Sequence, residues 1–114
     1  MMLPNVTEIS IAQIHEKVQQ YCLNEEHKIG KHKAYLFRSL LGITQENADV
    51  LTHAIVKAIF DARNDAVFIG ETEYCKRYNL RFQFENDIGT AVILTAWCLP
   101  INGNVPHLVT AYIQ

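Results

Sequence analysis

The chain has 114 residues and a formal charge of -2, and 49% of it is apolar against 19% charged. That length accommodates a single domain, 1–114, which buries roughly 65% of the surface its unfolded form exposes; the composition excludes a disordered tail or a fibrous repeat, and the near-neutral balance removes any bulk drive toward nucleic acid or anionic membrane. The charges are unevenly placed, however: all 22 lie between Glu8 and Asp87, and residues 88–114 carry none.

The first half, about residues 10–63, reads as helices. Ser10 is placed to cap a segment in which Ile11, Ile14, Val18 and Cys22 recur at three- and four-residue steps, the pattern of one helical face. That helix ends near Leu23 and Asn24. A basic stretch follows, His27-Lys28-Ile29-Gly30-Lys31-His32-Lys33, with Gly30 as hinge or cap. Ala34, Phe37, Leu40 and Leu41 make a second apolar stripe that stops at Gly42, a helix C-terminal signal. Thr44 is an N-cap for a third helix whose seam runs through Ala48, Leu51, Ile55, Ile59 and Ala62.

The second half, about residues 77–113, changes period. Tyr78, Leu80, Phe82 and Phe84 alternate with Arg77, Asn79, Arg81 and Gln83, which describes a strand with one buried and one solvated face. Ala91 to Leu99 is apolar on both sides, as in a central strand covered twice. His107 to Ile113 forms the last strand, and Val67-Phe68-Ile69 is either an edge strand or the exit from the long helix. Short turns around Asn86-Asp87 and Asn102-Gly103 favour antiparallel pairing. The fold class is therefore α+β, with about three N-terminal helices packed on one face of a three- to four-stranded antiparallel sheet.

Cys22, Cys75 and Cys98 are odd in number and form no Cys-x-x-Cys pair. Reduced thiols in a cytoplasmic protein are the expectation, with Cys98 a small core residue. No signal sequence opens the chain, and Ala91–Leu99 is too short to span a membrane, which needs about 20 apolar residues.

If Tyr78, Leu80, Phe82 and Phe84 face the helices, with Val109, Ala111 and Ile113 beside them, the opposite face presents Arg77, Asn79, Arg81, Gln83, Thr110 and Tyr112. The central strand adds Thr95 and Trp97 or Ala96 and Cys98, according to a register the sequence leaves open. Three readings compete for that face. One is a solvated sheet surface. Another is a protein interface, for which Arg, Trp and Tyr are typical anchors and Trp97 is the candidate contact. The third is a site that holds RNA, in which Arg clamps phosphate and aromatic rings stack on bases.

The basic stretch fits the RNA reading: Lys31 and Lys33 stand at the start of a helix, where free amides favour an anion, and His32 brings an imidazole, the side-chain type most used for acid–base work. The spacing is not that of a P-loop, and His27 and His32 lack the spaced partners of a zinc site, so neither metal nor cofactor is expected. His107 opens the last strand, but strict alternation sets it on the side away from Thr110 and Tyr112.

The ordered set Gly30-Lys31-His32-Lys33-Ala34 with Phe37, Arg77-Tyr78, Thr95-Ala96-Trp97 and Pro106-His107-Leu108-Val109-Thr110-Ala111-Tyr112 resembles a family of small uncharacterised bacterial domains. These carry a Gly-x-x-Lys-Ala-x-x-Phe element and a Thr-Ala-Tyr tail, and the family implies no activity. More remotely, helices followed by an antiparallel sheet ending in Thr-Ala-Tyr look like the barnase–EndoU–colicin–RelE group of ribonuclease toxins. That resemblance implies metal-free cleavage of RNA. Arg81 and Arg77 would hold phosphate together with Lys31 and Lys33, His32 would be acid or base, and Thr110 and Tyr112 would position the scissile group. It also implies an antitoxin or immunity-type partner. The alternative expectation is a non-catalytic module that dimerises or binds a partner through its uncharged sheet face.

Overall fold

The computed structural model describes residues 1–114. Three helices, α1 (Ile11–Lys17), α2 (Lys31–Leu41) and α3 (Ala48–Ile59), precede four strands, β1 (Ala66–Glu71), β2 (Cys75–Glu85), β3 (Thr90–Pro100) and β4 (His107–Ile113). The strands form an antiparallel meander in the order β1-β2-β3-β4. The α+β reading holds, and Val67-Phe68-Ile69 belongs to an edge strand.

Local chemistry explains most boundaries. The Ser10 side chain accepts from Gln13 N at 3.1 Å, capping α1. That helix widens into a π turn over Val18–Cys22, which lets both of those side chains be buried. The Gly42 backbone closes α2 at φ 67°, a conformation that favours glycine. Thr44 caps a short 3-10 turn over Gln45–Asn47 rather than α3 itself, and α3 ends at Ile59, which leaves Ala62 outside it.

The core lies between the helices and one sheet face. Three cross-strand rows supply the sheet side: Tyr78–Trp97–Leu108, Leu80–Thr95–Ala111 and Phe82–Ile93–Ile113. Ile14, Phe37, Leu41, Leu51, Ile55 and Ile59 close over them. Thr95, the polar break in the apolar run, sits in this core because its Oγ1 donates to Leu80 O and accepts from Trp97 Nε1, both at 2.8 Å. The expectation that Trp97 meets a partner is therefore corrected: its ring is 1% exposed and points at the helices.

A bulge in β4 decides the rest. Ala96 pairs with Thr110 but Trp97 pairs with Leu108, so Val109 is the extra residue. Val109 turns outward at 43% exposure instead of joining Ala111 and Ile113 in the core, and Leu108 takes the inner place. The same slip puts His107 beside Cys98 on the outer side, against the reading from strict alternation.

The cysteines also depart from expectation. Cys75 lies opposite Pro100 and Cys98 opposite Arg77, so the two stand diagonally on the outer face and form a disulfide with Cα atoms 5.3 Å apart. Only Cys22 is free. No helix is long and apolar enough to cross a membrane.

Candidate functional site

The residues of the outer sheet face fall into rows set by the register: Arg81–Leu94–Tyr112, Asn79–Ala96–Thr110 and Arg77–Cys98–His107, with Leu94 and Cys98 buried within them. Each row lies roughly 7 Å from the next, since two residues of strand advance about that far. Arg77 and Arg81 are therefore about 13 Å apart and belong to opposite ends of the face.

The Arg81 end is the richer one. Its Nε donates to Gln114 Oε1 at 2.7 Å, which extends the guanidinium over the start of the row. At the other end of that row Lys33 Nζ stands 4.3 Å from the centroid of the Tyr112 ring. This is cation–π distance, and it joins residues 79 positions apart in the chain. Lys31 and His32 are exposed in the same first turn of α2. Gly30, at the N-cap, offers no side chain to that turn. His27 shapes the approach: its Nδ1 accepts from Ile29 N and Gly30 N at 3.2 and 3.3 Å, and its ring meets Tyr21 edge-on at 4.7 Å. The chain's three ion pairs use the Met1 amino group, Arg38 and Arg63, so Arg77, Arg81, Lys31 and Lys33 face no carboxylate at ion-pair distance.

Thr110 is placed differently. Its Oγ1 is sealed from solvent without a hydrogen-bond partner at normal geometry, and it lies by the Cys22 thiol. Burial drives that thiol up to about 11, against weaker opposing contacts from the Ala111 backbone, the Thr110 hydroxyl and Lys17. Thr110 thus packs against the π turn at the β4 edge, while Tyr112, on the same face of β4, is partly exposed. At the Arg77 end, partial burial and then Lys17 hold the His107 imidazole below its ordinary range.

The sequence pointed to Lys33, Tyr112 and Arg81 without showing that they share a row. It missed Gln13, whose side chain binds the β4 edge: Nε2 donates to Leu108 O at 2.9 Å and Oε1 accepts from Leu108 N at 2.8 Å. A Gln on the flank of an amphipathic helix carries no local sign of such a role.

The chain belongs to the family described as domain of unknown function DUF6883, whose model matches residues 2–114. No curated protein and no solved structure matches it.

Proposed function

We propose, from a family membership that brings no activity with it, that this domain cleaves RNA with its own side chains and acts as a ribonuclease of the toxin type. The observation that carries the reading is the approach of Lys33 to Tyr112, in line with Arg81 across β3. In this reading a phosphodiester lies over the Arg81–Leu94–Tyr112 row. The RNA 2′-oxygen attacks phosphorus, the bond to the 5′-oxygen breaks, and a 2′,3′-cyclic phosphate forms. His32 takes the proton from the 2′-hydroxyl, and the Tyr112 phenol gives one to the leaving 5′-oxygen. Lys33 and Arg81 balance the charge that builds on the phosphoryl oxygens. Lys31 draws the strand toward α2, and Arg77 holds a second phosphate farther along the face. Thr110 is a positioning residue here, because its hydroxyl is sealed against Cys22 at the β4 edge.

The test is cleavage of a labelled single-stranded RNA with chelator present. Cyclic-phosphate ends are expected, with Lys33→Ala, Arg81→Ala and His32→Ala each slower by about 100-fold or more. Folded protein that leaves RNA intact, or harmless overexpression in bacteria, removes this reading.

A second reading rests on β1, where Val67, Phe68 and Ile69 are each about half exposed along an unpaired sheet edge. Such an edge is a template for a further strand, from an antitoxin or immunity-type partner or from a second copy in a homodimer. It predicts a co-purifying partner or dimer, and a concentrated monomer with no partner counts against it.

A further inference from the structure

Beyond the Arg81 end, the outer face carries a slot of about 270 Å3 at the Arg77 end, lined by Tyr74, Arg77, Asn79, Ala96, Cys98 and Val109 among others. Its lining is mostly apolar and includes Ala96, the Val109 bulge and the Cys75–Cys98 disulfide. Two polar side chains two residues apart on β2 also line it, the Asn79 amide and the Arg77 guanidinium, the latter free of any carboxylate. Tyr74, 73% exposed, is the aromatic residue at its open side. An exposed tyrosine in a turn is ordinarily loose, but this turn is tied from four directions. The Thr72 hydroxyl accepts from Tyr74 N and Cys75 N, both at 3.1 Å. Thr72 N donates to Cys75 O at 2.8 Å, and Ile101 N donates to Tyr74 O at 2.9 Å. The next residue, Cys75, is bonded to Cys98. The backbone that carries Tyr74 is thus fixed before any ligand arrives, which lowers part of the ordering cost of binding.

We infer that this slot is a nucleobase subsite, in which one unpaired base of an RNA strand stacks on Tyr74, presents its edge to the Asn79 amide and lays its phosphate on Arg77. The inference rests on the RNA reading above and adds to it where the strand lies and which of its units is recognised. A slot that combines an apolar lining, an exposed aromatic residue, an amide and one free cation matches the parts of a nucleotide in kind. Asn79 stands one row from Arg81, so the seated base belongs to a nucleotide next to the bond over Tyr112. Asn79 and Tyr74 are then specificity residues, and neither touches the reacting atoms.

The experiment measures binding of 2′-O-methyl RNA tetranucleotides, which cannot be cleaved, by fluorescence anisotropy. One base is removed at a time. An abasic unit at the seated position is expected to weaken binding about tenfold, within the range for one base stacked on an aromatic ring, and abasic units elsewhere much less. Tyr74→Ala is expected to weaken the intact strand by a similar factor and to abolish the penalty of the abasic unit, because both changes remove the same contact. Tyr74→Trp is expected to retain binding and to show fluorescence quenched by the strand. Near-UV circular dichroism of the buried Trp97 verifies that each variant is folded. Equal penalties at every position, penalties that multiply with Tyr74→Ala, or no binding at all overturns the subsite. Cleavage by the wild-type protein is followed in parallel and separates the two claims. Cleavage without base preference leaves the nuclease standing and the subsite fallen; position-specific binding without cleavage does the reverse.

Discussion

The two edges of the sheet are treated in opposite ways. At β4 the Gln13 amide occupies both backbone hydrogen-bonding groups of Leu108, while α1, its π turn and α2 pack along the strand. At β1 no side chain performs that service, and a bulge between Phe68 and Gly70 bends the strand away from ideal pairing. Only Met1 O, accepting from Ala66 N at 2.8 Å, touches its beginning. The difference teaches where position matters in this fold. The closed edge holds Tyr112 against Lys33, so a site can be built there to fixed geometry, whereas the open edge offers unpaired backbone and exposed apolar side chains.

The row Tyr78–Trp97–Leu108 links both edges, since Phe68 meets Tyr78 edge-on at 5.6 Å and Leu108 meets Gln13. Trp97→Ala cuts this row at its centre and leaves Thr95 Oγ1 without its indole donor. A loss of about 3–5 kcal/mol is expected in urea unfolding. A loss below about 1 kcal/mol would mean that the edges are stabilised independently.

Cys22 lies at the closed edge, and burial pushes its thiol up to about 11 from the ordinary 9.0. A group whose folded pKa is raised contributes stability that is fully present below pH 9.0 and is lost as pH rises toward 11. Denaturation midpoints at pH 8 and pH 11 should differ by about 2–3 kcal/mol from this thiol, a difference absent in Cys22→Ala. The native thiol should also resist iodoacetamide at pH 8 until the protein unfolds.

Gln13→Ala opens the closed edge. Two hydrogen bonds to Leu108 are removed, and a cost of about 1–3 kcal/mol is expected. Faster amide exchange at Leu108 is the sharper readout, and unchanged exchange there would show that another group takes over. Val67→Lys, on the open edge, should change stability by less than about 0.5 kcal/mol while reducing any self-association seen by sedimentation. A large loss of stability would mean that this edge is already covered.

Periodicity made the helices, the alternation of β2 and the central place of β3 legible, because apolar spacing reports which side of an element meets the core. It failed where one residue breaks the period. Val109 bulges, and nothing in Leu108-Val109-Thr110 announces it; the consequence reverses the sides of Val109, Leu108 and His107 together. The disulfide was hidden for a related reason. Cys75 and Cys98 are 23 residues apart and become diagonal neighbours only when the Glu85-to-Thr90 turn sets the register of β2 on β3. Close backbone packing sets that turn: a Cβ on Gly89 would meet Leu40 O at 2.5 Å, and Asn86 Nδ2 donates to Leu41 O at 2.8 Å.

The uncharged stretch of residues 88–114 reads in the sequence as two strands, one of them buried twice, and the α+β class follows from that and from the helical spacing before it. Both conclusions depend on local pattern, which a single sequence carries in full. The outward or inward place of Trp97, the pairing of the cysteines, the sealing of the β4 edge by Gln13 and the meeting of Lys33 with Tyr112 were decided by tertiary structure alone. Each depends on the distance between residues far apart in the chain, and that distance exists only once the strands have a register and the helices a sheet to lie on.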